Sequence, residues 1–356
     1  MTIAAPDLTR FATEILTSGG AAPEIAGKVA QRLVTANLLG HDSHGVGMIP
    51  RYVEGIRIGE LDPGANAGIV QDNGAFILVD GRRGFGQIVA EQAMDHVIGR
   101  ARRHKFALMS LRNSFHIGRV GDWAEMAALA GFISIHFVNV LSPSAHVAPF
   151  GGSDARFSTN PYCTAIPATE NTPMTVLDMA TSNIAHGKAR VAYLSGKQAP
   201  ENSLIDATGT PTTDPAVLFD DPLGALTTFG AHKGFGLAML GDLLGGSLSG
   251  GGAFLPDRIR DGRIINNMLA ILIDPDLFGG AGAFFDDVDA YTSWVKASPP
   301  APGVATVMVP GDPERAARAQ REKDGIPLDD GTWDQLVETA RSVGLSDDAV
   351  ASLTGR

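Results

Sequence analysis

The chain has 356 residues, with 28 Lys plus Arg against 39 Asp plus Glu and a formal charge of -11. At 44% apolar and 19% charged residues it has ample material for a packed core, and its length suggests two domains or one large domain with insertions. An acidic chain without a Lys/Arg block is a poor partner for nucleic acid or an anionic membrane, so an anionic substrate would need local positive charge.

The start, Met1-Thr2-Ile3-Ala4-Ala5-Pro6-Asp7, lacks the basic and apolar segments of a signal peptide. Leu8, Phe11, Ile15 and Leu16 fall at helical spacing before Gly19-Gly20, and a second helix opens at Pro23 and ends at Gly40. The period then changes. Gly68-Ile69-Val70 and Ala75-Phe76-Ile77-Leu78-Val79 flank Asp72-Asn73-Gly74, a strong hairpin signal. A helix (88–102), a strand (106–111), a helix (119–130) and a strand (132–140) follow, an order that predicts a partly parallel sheet. A strand is expected at 174–179 and a helix-like run at 237–244, leading into the Gly-rich tract 245–252. Helices return at 313–323 and 332–343. Helical ends around a strand-containing middle predict one discontinuous helical domain, residues 1–75 with 300–356, and an α/β domain, 76–299. No run of about 18 apolar residues occurs, so no membrane helix is expected. Cys163 is the only cysteine, which excludes an intrachain disulfide and fits a cytoplasmic setting.

Gly84-Phe85-Gly86 follows a strand and opens a helix, as a dinucleotide fingerprint does. The third glycine is missing, and the next strand ends in Leu111-Arg112-Asn113 without the ribose-binding acid, so the segment reads as a tight turn.

Five places could carry chemistry. His41-Asp42-Ser43-His44 puts two imidazoles, a carboxylate and a hydroxyl past a helix end, where His can move a proton near neutral pH. The competing readings are a helix C-cap with Gly45 as its left-handed terminator, or metal ligation by His41 and His44. His116 lies in a Gly-containing loop between strand and helix, a ligand-binding position in α/β sheets, or else it caps the next helix. Asp178 closes a strand, where it could orient an imidazole or serve as a turn or cap residue. Lys233, among glycines before a helix, suits pyrophosphate or is part of a plain turn. Arg51 could clamp a substrate carboxylate or be a surface charge. Three function classes fit these residues: a nicotinamide-dependent oxidoreductase, a metal-dependent hydrolase or lyase, and a small-molecule binding protein.

The stretches HDSHGVGMIPRYV (41–53), NSFHIGRVGDWAEMA (113–127), STNPYCTAIP (158–167), LDMATSNIAHGKARVA (177–192), FGAHKGFGLAM (229–239) and GIPLDDGTWDQL (325–336) together resemble the malate/L-lactate dehydrogenase-like family. They keep the family's order over almost the whole chain. The resemblance implies a homodimer with a non-Rossmann, mixed-sheet nicotinamide-binding domain and reversible reduction of a 2-oxo carboxylic acid with NAD or NADP. Reduction of a cyclic imino acid is the near variant. It implies His44 as proton donor/acceptor with Ser43 and Asp178 as its relay, and His116 as the rival. Cofactor contacts carried over fall on His44, Gly118, Arg119, Val120, Ser142, Asp178, Met179, Ala180, His232, Lys233, Asn267, Gly311, Asp312, Pro313 and Glu314. One departure stands out. Many members have Arg three to four residues past the histidine at the His44 position, against the substrate carboxylate, where this chain has Met48. Either Arg51 or Arg119 substitutes, or the pocket takes a larger, more apolar substrate.

Overall fold

The computed structural model describes residues 1–194, 196–258 and 264–355. In chain order its regular elements are β1 (Thr2–Ile3), α1 (Ala5–Ser18), α2 (Pro23–Leu38), α3 (Ile49–Arg57), β2 (Gly68–Asn73), β3 (Phe76–Asp80), α4 (Gly86–His104), β4 (Phe106–Ser114), α5 (Gly121–Leu129) and β5 (Ile133–Leu141). There follow β6 (Tyr162–Ile166), β7 (Thr175–Met179), α6 (His186–Leu194), β8 (Leu204–Ile205), β9 (Pro211–Thr212), β10 (Ala225–Leu226), α7 (His232–Leu240) and β11 (Ile265–Ile273). The chain closes with α8 (Ala281–Lys296), α9 (Asp312–Asp324), β12 (Ile326–Pro327), α10 (Asp330–Ser342) and α11 (Asp347–Thr354).

Two ends of the chain share one core. Leu8, Phe11, Ile15 and Leu16 of α1 pack with Val29 and Leu33 of α2, Tyr52 of α3, Leu336 and Ala340 of α10 and Val350 of α11. β1 pairs antiparallel with β12, tying the first residues to the C-terminal segment. Prolines at the first turns of α1 and α2 set their starts, since Pro there gives up no needed N–H.

The second core lies under a seven-stranded sheet of order β2-β3-β4-β11-β5-β6-β7. The hairpin β2–β3 belongs to it, so the sheet begins at Gly68, ahead of the domain boundary expected at residue 76. β3 and β4 are parallel, as a βαβ unit requires. β4 and β5 also run the same way, yet they do not touch: β11 lies antiparallel between them. The sheet is therefore mixed, and among the described residues no dinucleotide fold of contiguous parallel strands forms. In the Gly84–Gly86 turn an added Cβ on Gly86 would stand 2.2 Å from the His116 carbonyl and 2.4 Å from Ile117 Cα, so this glycine serves backbone packing.

The Gly-rich tract has a related cause. Residues Gly241–Ser247 continue α7 as a π-helix laid on β5. A Cβ on Gly245 would fall 2.8 Å from the Phe137 carbonyl oxygen, and one on Gly241 2.9 Å from that of Val138. Among elements the sequence reading did not place, α3, α6, β11, α8 and α11 are the longest. No helix among the described residues is long and apolar enough to cross a membrane.

Candidate active site

The His44 loop leaves α2 through Gly40, at φ 83°, which is where the left-handed residue lies. Gly45, expected as that terminator, is extended at φ -89° and ψ -155°. It is glycine for space: a Cβ would stand 2.2 Å from Asn37 Oδ1. Asn37 braces the loop from the core, accepting from Val46 N at 2.9 Å and donating to Asp42 Oδ1 at 2.7 Å. From outside, Arg321 donates to both Asp42 oxygens at 2.6 and 3.0 Å, and His41 Nε2 lies 3.3 Å from Glu314 Oε1. The loop so held presents His44, whose Nδ1 is 2.9 Å from the exposed Ser43 hydroxyl.

The His116 loop leaves β4 through Asn113, a left-handed residue at φ 55°. Its backbone is fastened by two amides of β11: Asn267 Oδ1 accepts from Asn113 N and Asn266 Oδ1 from Ile117 N, both at 2.9 Å. Asn267 is fully buried and also donates to Asn139 Oδ1 at 2.8 Å. Its side chain holds the loop to the sheet. His116 does not cap α5, whose N-cap position, Val120, makes no side-chain cap bond. Its Nδ1 lies 2.7 Å from the Tyr52 hydroxyl, which receives Gln87 Nε2 at 2.7 Å.

These two loops meet. The imidazoles of His44 and His116 stack with centroids 5.5 Å apart and planes at 20°. Burial holds His44 down at about 4, with Asp178 pulling it up and His41 and Arg119 pushing it further down. Burial, and then the neighbouring His44, lowers His116 to about 3.

Asp178 ends β7 and accepts from Gly121 N at 2.7 Å, so it caps α5 across the sheet rather than a helix of its own segment. Its other neighbour is Arg119 Nε, at 3.7 Å. Arg119 is 1% exposed at its side chain and also pairs with Asp122 at 2.9 Å and Glu125 at 2.7 Å. Burial works against its charge, but Glu125, Asp122 and Asp178 outweigh that and raise it. Burial lifts Asp122 to about 6 despite Arg119. Arg51, the other candidate for a substrate carboxylate, forms an ion pair with Glu60 and lies over the Phe115 ring at 5.6 Å.

The Asp178 segment runs on to the remaining candidates. Gly187, in the first turn of α6, packs on Ser43, where an added Cβ would be 3.4 Å from Ser43 Cβ. Phe229 N donates to Thr181 O at 3.1 Å, and Gly234 fits against the backbone of Phe229 and Thr181, which anchors the start of α7 beside the Asp178 strand end. His232 and Lys233 are exposed there, after left-handed Gly230 and Ala231. Met179 and Ala180 are half-buried, while Ser142 is buried and donates to Ser144 O at 2.8 Å. Gly118, at φ 72°, sits against Gln87, with Val120 buried beside it. Gly311 is the left-handed N-cap of α9, Pro313 is in its first turn, and the Asp312 carboxylate pairs with Lys296 and Arg315.

Two residues of the site were not singled out from the sequence, Tyr52 and Gln87. Each stands beside residues that were: Tyr52 follows Arg51, and Gln87 follows the Gly84–Gly86 turn. A lone glutamine opening an apolar helix start, Gln87-Ile88-Val89-Ala90, was the available signal. Among the described residues no three His, Cys, Asp or Glu side chains are grouped as a metal site.

The malate/L-lactate dehydrogenase family matches residues 3–337. The chain is 44% identical over 348 residues to hydroxycarboxylate dehydrogenase B of Escherichia coli strain K12, covering 97% of this chain and 95% of that protein. It is 40% identical to an L-lactate dehydrogenase of Cupriavidus necator, with 97% and 99% covered. A solved structure described as a malate/lactate dehydrogenase from E. coli superposes with a TM-score of 0.94 at 42% identity, covering 99% of this chain and 98% of that one.

Proposed function

The chain belongs to the malate/L-lactate dehydrogenase family, and from that premise we propose that it reversibly reduces a 2-oxo carboxylic acid to the 2-hydroxy acid with NAD or NADP. The observation that carries this reading is the pair of stacked imidazoles, 5.5 Å apart, brought together by two unrelated segments. One has a freely turning hydroxyl on its ring nitrogen and the Asp178 charge within electrostatic reach. Such a group takes up and releases a proton at a carbonyl oxygen.

The donor set fits a dinucleotide. The first turn of α7 has no side-chain cap, and Lys233 and His232 stand exposed on it, as an anion at a helix N-terminus needs. Gly118 and Gly311 offer left-handed backbone free of side chains. When bound, the nicotinamide supplies or accepts the hydride. In reduction, His44 in its protonated form gives its ring proton to the substrate oxygen. Asp178 favours that protonated form, and Ser43 follows the change by turning its hydroxyl. We place the substrate carboxylate on Arg51 rather than Arg119. The Arg51 side chain is 26% exposed and Arg119 only 1%. Met48, in the usual arginine's place, packs against the helical core and offers no charge to a carboxylate.

We also propose a homodimer, supported by the apolar surface at α8, where Phe278, Tyr291 and Trp294 are 86%, 64% and 73% exposed. Light scattering on the full chain tests it. The reaction is tested by a panel of 2-oxo acids and one cyclic imino acid with NADH and NADPH. Oxidation with 2-oxo acids is expected; turnover of the imine alone transfers the assignment to imine reduction, and none with either class sinks it.

A further inference from the structure

Building on that reductase reading, we propose that Tyr52 and Gln87 are positioning residues that lock His116 in its neutral form with the proton on Nε2. His116 then polarises the substrate oxygen by a hydrogen bond while His44 alone carries the proton.

Each hydrogen bond in this chain of three side chains runs in one direction. Gln87 is 2% exposed, its Nε2 lies 2.7 Å from the Tyr52 hydroxyl, and its Oε1 is buried without a partner. Turning the amide over would leave the N–H groups orphaned instead, and a buried unpaired N–H is the rarer and costlier defect. Gln87 therefore donates to the Tyr52 oxygen. The Tyr52 ring is fully buried, and burial raises its hydroxyl, so the phenol keeps its proton. Among the described residues that proton has one acceptor left, His116 Nδ1 at 2.7 Å. Nδ1 accepts only when the imidazole is neutral and its hydrogen is on Nε2.

Charging His116 would break this relay. Both neighbours would then aim N–H at the Tyr52 oxygen, and the phenol proton would be stranded in the core. His44 is built otherwise. Its Nδ1 partner is Ser43, an exposed hydroxyl that donates to the neutral ring and accepts from the charged one. With the rings stacked at 5.5 Å, two positive imidazoles would also repel, so one carries charge and the other does not. A neutral imidazole that polarises a carbonyl beside a separate proton-transferring group is a known division of labour.

The step balances. As the carbonyl carbon accepts the hydride, its π pair moves to oxygen. The His44 N–H bond breaks toward that oxygen, and its electron pair stays on the ring. The Nε2–H bond of His116 is kept throughout.

The test is long-range ¹H–¹⁵N NMR on the full chain with ¹⁵N-labelled histidine, His116 being assigned by its loss in His116→Gln. The expected result is a bare Nδ1 and a protonated Nε2 from pH 5 to 8. Tyr52→Phe should let both tautomers appear, and Gln87→Met, close in volume, should let His116 titrate at higher pH. The kinetic arm compares two glutamines. His116→Gln keeps an N–H donor and should lose about tenfold in kcat, against about a hundredfold or more for His44→Gln. A protonated Nδ1 in the parent chain overturns the proposal. So do tautomer and titration unchanged in both relay variants, or a His116→Gln loss equal to that of His44→Gln. The NMR readout needs no turnover, so an inactive substrate panel would sink the reductase reading while leaving the relay standing or falling by itself.

Discussion

The two loops that carry the histidines are held by opposite means. Residues 41–48 are clamped partly from the surface, by Arg321 on Asp42 and by Glu314 at His41, with side chains that water reaches. Residues 113–121 are fastened from inside, by amides of β11, by Gln87 and Tyr52, and by the Arg119–Asp122 pair. Solvent-screened ion pairs tolerate a change of charge and small movement, whereas a buried polar network tolerates neither. The group that must gain and lose a proton therefore sits in the first loop, and the one that must stay in place sits in the second.

Four changes test this contrast. His44→Ala should reduce kcat by about 10²-fold or more while cofactor affinity, read by fluorescence titration, is kept. A loss confined to KM would break the assignment of charge to that loop. Gly86→Ala should cost about 1–3 kcal/mol in a denaturant titration, because its methyl has only the rigid backbone of His116 and Ile117 to displace. An unchanged midpoint would show that the inner loop yields easily.

Acid should act on the fold as a whole, through its buried imidazoles. His116 and His136 are held down at about 3 and His44 and His146 at about 4, all by burial first, against an ordinary 6.5. The unfolded chain thus binds more protons below about 6.5, so stability is complete above that pH and declines as pH falls toward 4 and then 3. Thermal unfolding across that range checks the sign, and a melting temperature that rose on acidification would reverse it. Least affected should be Arg321→Ala, which removes a partly exposed pair and should shift stability by less than about 1 kcal/mol. A larger shift would mean that the outer clamp is structural.

Much of this fold could be read from residue order. The helices at both ends, the Asn73-Gly74 hairpin and the β-α-β-α-β run lie close to where spacing puts them, because each is a local pattern. β11 escaped because its run, Ile265-Asn266-Asn267-Met268-Leu269-Ala270-Ile271-Leu272-Ile273, shows neither alternation nor helical period, being buried on both faces. The histidines, Asp178 and Lys233 were visible as chemistry. Their partners were not: nothing local says that Asn267 bonds to a neighbouring strand, or that Arg119 meets three carboxylates. Likewise, Gly45 and Gly86 announce themselves as turn residues, while the reason for each is an atom distant in the chain.

The insertion of β11 between β4 and β5 also bears on how the molecule is made. β5 is complete in the chain at residue 141, but the strand that joins it to β4 begins only at residue 265. Until then two apolar strand edges wait open, and closing them is a long-range step, slow by its topology. A nascent chain halted near residue 200 should expose those edges to a chaperone, and one extended past residue 273 should bury them.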